Sequence, residues 1–120
     1  MIRDFVGLAR RRLVSAFLYS LEGFGAAWKS EEAIKVEMAL LPILIVLALI
    51  FGQSGVERAL LVCSVLAVIV VELLNTAIEK TIDRISTETN PLSKKVKDMG
   101  SAAVLGAIVN VVMVWSFVLT

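Results

Sequence analysis

The chain has 120 residues, 58% of them hydrophobic, with a mean hydropathy of +0.88, well above the roughly half-apolar composition of a soluble domain. A net charge of +1 supplies no basic field for nucleic acid. There is no histidine and one cysteine, Cys63, set within an apolar run, which excludes a disulfide framework and a Cys/His metal site.

The length fits one domain, 1–120. Near the N-terminus, Leu13, Phe17, Leu21, Phe24 and Trp28 fall on one helical face, with Arg11, Ser15, Glu22 and Lys29 on the other. This spacing predicts an amphipathic helix over 5–29 lying on the inner membrane surface. Packing against a soluble partner is the competing reading, and the adjoining apolar spans weigh against it. Within this helix GFGAAW, Gly23 to Trp28, begins like a GxGxxG loop but lacks the last glycine and follows no strand, so a small-residue packing face is the better account.

The first apolar run is MALLPILIVLALIF, Met38 to Phe51, inside a predicted helix over 36–52. It is short and needs its flanks to span, and Pro42 can bend it. It also begins too late, without a convincing cleavage site, for a cleaved signal peptide. The second run, Ala59 to about Ile78, lies in a predicted helix over 57–84 whose far end extends into the cytoplasm. STETNPLS, Ser86 to Ser93, reads as a loop, with Asn90-Pro91 as punctuation. The third run, Met99 to Thr120, lies in a predicted helix over 96–120. At about 1.5 Å per residue, 22 residues reach ~33 Å, enough for a hydrocarbon core of ~30 Å. On this last helix Ala102, Gly106 and Asn110 suggest close helix packing, with Asn110 bonding across helices.

Charge predicts orientation. Six basic residues precede the first span and five lie between the second and third, against Arg58 alone between the first and second. The positive-inside rule puts the N-terminus and the 80–97 segment in the cytoplasm, with the C-terminus outward. Trp115 and Phe117 are then expected in the outer aromatic belt.

One stretch is out of keeping with a membrane helix: VELLNTAIEKTIDR, Val71 to Arg84. At 100° per residue, Glu72, Asn75, Thr76, Glu79 and Asp83 fall within about 100° of arc, forming one polar stripe. Glu72 lies ~20 Å along the helix from Ala59, near the inner edge of the hydrocarbon, and Asp83 about 16 Å further on. Helix gluing and end solvation explain Asp83, Lys80 and Arg84 taken singly. An intramembrane carboxylate such as Glu72 is costly and points to function.

Without histidine or a reactive cysteine, acid–base work falls to carboxylates, and a glutamate in an apolar setting suits a general base. Carboxylates with an amide suit Mg²⁺, which leaves places for phosphate oxygens. Lys97 and its neighbours could neutralise phosphate charge. Sequence physics alone reaches a metal and phosphate at the inner membrane boundary. It does not reach ATP, since neither GxxxxGK[ST] nor a kinase catalytic loop is present.

VELLNTAIEKTIDR followed by KDMGSAAVL, Lys97 to Leu105, with AAWKSEEAIKVE, Ala26 to Glu37, before the first span, resembles the prokaryotic diacylglycerol kinases over nearly the whole chain. The resemblance implies an all-α membrane protein with three transmembrane helices and an N-terminal surface helix, assembled as a homotrimer with shared active sites. It implies phosphorylation of diacylglycerol to phosphatidic acid by MgATP at the cytoplasmic face of a bacterial inner membrane, recycling the lipid for phospholipid synthesis. It puts the general base on Glu72, an orienting amide on Asn75, and the metal ligands on Glu31 and Glu79. It puts nucleotide contacts on Arg12, Tyr19, Asp83, Glu88, Thr89, Asn90, Lys97 and Asp98. Lipid contacts fall on Arg12, Trp28, Glu37, Glu72 and Ser101. By residue type alone, Tyr19 reads as an interface anchor, Arg12 as a headgroup cation, and Glu31 as a solvated neighbour of Glu32. Glu22, Gly25, Lys35 and Asn90 depart from the pattern, where basic residues, arginine or histidine are usual. Undecaprenol, preferred by Gram-positive relatives, is the alternative substrate. A small proton-coupled transporter is a further alternative, but no fourth span or inverted halves are visible. A structural or pore-forming protein would need neither stripe nor KD pair.

Overall fold

In hydrocarbon a backbone must satisfy its own N–H and C=O groups, and a chain this apolar does so in helices. The computed structural model describes residues 1–120 and contains four of them: α1 (Ile2–Ser30), α2 (Glu32–Phe51), α3 (Gly55–Ile85) and α4 (Pro91–Leu119). α2, α3 and α4 are each long and apolar enough to cross a membrane. The 20 residues of α2 reach ~30 Å, so the flanks of the short MALLPILIVLALIF run complete the span. The 31 residues of α3 reach ~46 Å, more than a hydrocarbon core requires, which leaves length for its polar end.

The chain divides into two units, Met1–Glu32 and Ala33–Thr120. The first is α1. Phe5, Phe17, Leu21 and Trp28 are exposed on it, and Ser20 and Ser30 turn their hydroxyls back onto the carbonyls of Ala16 and Ala26. The helix ends where Glu31 becomes extended, its N–H still donating to the Ala27 carbonyl at 2.9 Å.

In the second unit α2 continues through Pro42 without a break. It stops at a tight link in which a Cβ on Gly52 would stand 2.8 Å from the Ala48 carbonyl oxygen and 2.6 Å from Arg58 Cγ. α3 starts with a paired cap. Ser54 Oγ accepts from the Glu57 N–H at 3.1 Å, and the Glu57 carboxylate accepts from the Gln53 N–H at 2.7 Å. These contacts satisfy donors that an uncapped helix end leaves open.

α3 and α4 are the main packing pair, antiparallel because only five residues, 86–90, join them. Leu61, Ser64, Val65 and Ile69 are buried on one face of α3, and Asn75 and Thr76 continue that buried face. Three ties hold the pair in register: Trp115 to Ser64, Gly100 to Asn75, and Lys97 to Asp83.

One sequence expectation is corrected here. α4 begins at Pro91 rather than 96, because Asn90-Pro91 is a helix start. Asn90 Oδ1 accepts from the N–H groups of Leu92 and Ser93 at 2.9 and 3.3 Å, and Pro91, with no N–H to lose, takes the first helical position. Trp115 is half-buried and donates its indole N–H to Ser64 Oγ at 3.2 Å and the Leu61 carbonyl at 3.3 Å. Ala102, Gly106 and Asn110 do not line the α3 contact, and nothing lies within 4 Å of a Cβ placed at Gly106. Gly100, about 120° round the helix from Gly106, is the close approach instead.

Trp115→Phe keeps the ring and removes the donor. Interhelical hydrogen bonds in membranes average about 0.6 kcal/mol. The expected result is destabilisation of that order, read as a lower unfolding midpoint in mixed micelles. An unchanged midpoint would show that the tie contributes nothing.

Candidate active site

The site is assembled by the face of α3 that packs on α4 below the apolar core. Glu72 and Glu79 are half-buried, Asn75 and Thr76 buried, and Asp83 exposed. The stripe read from the sequence is thus a single surface that passes from enclosed to open over about three turns.

At its enclosed end, Glu72 on α3 and Glu37 on α2 lie within electrostatic reach of each other. Glu37 Oε2 is buried with no hydrogen-bond partner, an expensive state for a carboxylate oxygen unless another group arrives to meet it. Glu37 is also the one polar residue lining a groove of about 300 Å³ between α2, α3 and α4. Leu40, Leu44, Val65, Ile69, Ile108 and Val112 supply most of the remaining wall. An apolar slot with a carboxylate at its edge suits a molecule with a hydrocarbon body and a hydroxyl.

In the middle, Asn75 Nδ2 donates to Glu79 Oε1 at 3.3 Å. Asn75 Oδ1 is buried, accepts no hydrogen bond, and points at Gly100. The amide therefore presents its donor to the carboxylate and orients it.

The open end is a polar cleft of about 320 Å³ lined by the ends of α3 and α4 and the 86–90 turn. Lys97 Nζ and Asp83 Oδ1 pair at 2.7 Å across the two helices, and Lys94 Nζ and Asp98 Oδ2 pair at 2.6 Å along α4. Lys97 and Asp98, adjacent in sequence, thus hold different partners. All four side chains are substantially exposed, so the pairs add little stability and can be exchanged for other ligands. Glu88, Thr89 and Asn90 also line this cleft. Ser86 Oγ accepts from the Glu88 N–H at 3.0 Å and shapes the turn, while Asn90 is occupied as the cap of α4.

Ser101 is exposed on α4 beside Gly100. Arg12, Tyr19 and Trp28 are exposed on α1, and Glu31 caps its end, all in the N-terminal unit. No three His, Cys, Asp or Glu side chains converge in the chain. Mg²⁺ needs only one or two protein carboxylates beside water and phosphate oxygens. Glu79, an oxygen donor oriented by Asn75, fits that requirement. Gly100 and Ser64 carry no distinguishing signal in the sequence. A glycine followed by SAA looks like general small-residue packing, and only the register of α3 against α4 separates Gly100 from Gly106.

These features define a small α-helical membrane protein with carboxylates, an amide and lysines gathered at one end of an antiparallel helix pair. The sequence profile of prokaryotic diacylglycerol kinase matches residues 18–119. The chain is 44% identical to a diacylglycerol kinase of Pseudomonas aeruginosa over 109 residues, covering 91% of this chain and 89% of the relative. It is 43% identical to that of Escherichia coli over 90% of this chain and 88% of the relative. For that of Haemophilus influenzae the identity is 43%, with 89% and 91% covered. The chain belongs to the prokaryotic diacylglycerol kinase family.

Proposed function

We propose that the protein transfers the γ-phosphoryl group of ATP to the primary hydroxyl of diacylglycerol, giving phosphatidic acid and ADP at the cytoplasmic membrane face. The observation that carries this reading is the apolar groove edged by Glu37, next to Glu72, on a stripe that ends in the Asp83–Lys97 cleft. A lipid tail suits the groove and a polyphosphate suits the cleft. Family membership supports the same substrate, since the relatives are named diacylglycerol kinases.

Glu72 takes the hydroxyl proton as the lipid oxygen attacks phosphorus. Asn75 holds Glu79 in place. Lys97 leaves Asp83 for phosphate oxygens, and Asp98 and the 86–90 turn contact the nucleotide. Glu79 and Glu31 would hold Mg²⁺, which would supply positive charge against the phosphate oxygens. Arg12 and Tyr19 of α1 reach the nucleotide, Trp28 and Ser101 the lipid. The assignments of Arg12, Tyr19, Trp28, Glu31 and Ser101 draw on the family resemblance.

α1 lies on the inner membrane surface, its exposed apolar side chains in the headgroup layer, with the C-terminus outward. The active form is a homotrimer with shared sites. The assignment of the homotrimer draws on the family resemblance.

The test is transfer of labelled γ-phosphate from MgATP in mixed micelles. The expected product is phosphatidic acid, formed faster than undecaprenyl phosphate from undecaprenol. Faster transfer to undecaprenol would reassign the substrate, and no transfer to either alcohol would end the kinase reading.

A further inference from the structure

Where α4 comes closest to the carboxylate stripe, it offers a residue without a side chain. Gly100 is buried, and a Cβ placed on it would collide with Asn75 Oδ1 and stand 3.1 Å from Asn75 Cγ. The amide oxygen fills the space that any other residue's Cβ would take. That oxygen accepts no hydrogen bond, while the other half of the same amide donates to Glu79 Oε1 at 3.3 Å. Turning the amide over would set its oxygen against the Glu79 carboxylate, and two acceptors repel. Only one orientation therefore suits both neighbours: oxygen toward the Gly100 backbone, nitrogen toward Glu79.

The geometry points to Gly100 as a positioning residue for the reaction: by letting α4 approach to backbone contact it clamps the Asn75 amide and, through it, aims Glu79. Lys97 sits three residues away on the same helical face, and its 2.7 Å pair with Asp83 holds the two helices together one turn beyond the clamp. A methyl group at position 100 leaves two outcomes. Either α4 moves out and strains that tie, or Asn75 swings away and Glu79 loses its donor. Gly106 on the same helix has nothing within 4 Å of a Cβ and serves as an internal control.

The inference deepens the proposed kinase reading, and its test has an arm that does not depend on it. The side-chain amide ¹⁵N–¹H signal of Asn75, identified by its absence in Asn75→Asp, is followed in detergent micelles. Gly100→Ala is expected to move that signal, and Gly106→Ala to leave it in place. In the kinase assay, loss of a group that orients a metal-binding carboxylate typically costs about 10–100-fold. Gly100→Ala should raise the Mg²⁺ half-saturation or lower kcat by that factor, with the lipid KM little changed. Because Gly100 acts through Asn75, adding G100A to Asn75→Ala should cost nothing further. If G100A alone fails to fold, N75A/G100A, which removes the collision, should fold. An unmoved Asn75 signal in G100A, effects of the two substitutions that multiply, or a double variant that also fails to fold would each overturn the assignment. A wild-type protein without phosphotransfer, but with a shifted signal in G100A, would defeat the kinase reading and leave the clamp standing.

Discussion

Glu72→Gln should lower kcat by about 10²–10⁴-fold while the KM for MgATP changes much less. The substitution preserves size and hydrogen bonding and removes only the capacity to accept a proton. A lipid's primary hydroxyl is a weak nucleophile unless its proton leaves as the oxygen attacks, and the tail prevents it from moving far into water. The acceptor must therefore stand at the hydrocarbon edge. The proposed mechanism gives that place to Glu72, which is half-buried on α3, beside Glu37, at the enclosed end of the stripe. Rates measured at saturating lipid and nucleotide separate the two effects. If E72Q binds MgATP poorly but turns over near the wild-type rate, Glu72 is a binding residue and the proton has another acceptor.

The contrast between Glu72 and Gly100 shows what this sequence discloses. Helical periodicity needs only the order of residues along one element, so Glu72, Asn75, Glu79 and Asp83 could be placed on one face before any packing was known. The three spans were legible for the same reason, as was the polar extension of α3. Contacts between elements depend on register, which a run of nearly interchangeable apolar residues does not encode. Trp115 suits a membrane interface by type, and only the antiparallel pairing brings its N–H to Ser64, 51 residues away in sequence. Gly106 and Gly100 both look like packing glycines, and the structure leaves one open and presses the other against Asn75. The Lys97–Asp83 pair spans 14 residues and forms only because Asn90 and Pro91 start α4 early and keep the turn short. Position within a helix was thus readable from local sequence, whereas the orientation of the Asn75 amide was set by a neighbour on another helix.

The assembly proposal leads to a second large effect, recovery of activity from two inactive parents. Glu31 belongs to the N-terminal unit and Glu72 to the helical unit. If each site of a homotrimer takes Glu31 from one subunit and Glu72 from another, a trimer of E31Q chains has every site defective, and so does a trimer of E72Q chains. A mixed trimer contains two adjacent boundaries between unlike chains. At one of them both glutamines fall in a single site, and at the other both native glutamates meet. In any trimer with both chain types, one site of the three regains its pair. Random mixing of equal amounts gives each position an independent choice, and about three quarters of trimers then hold both types. Activity near a quarter of wild type is therefore expected from the mixture, since about three quarters of the trimers each regain one site in three. Sites built within one chain give a different result, because every chain then carries one defect and mixing restores nothing. The measurement is phosphatidic acid formation after the two variants are unfolded together and refolded, with subunit exchange verified by differently tagged chains. Recovery would also show that Glu31 and Glu72 serve one site across a subunit boundary, and its absence in verified mixed trimers would return both residues to the same chain's site.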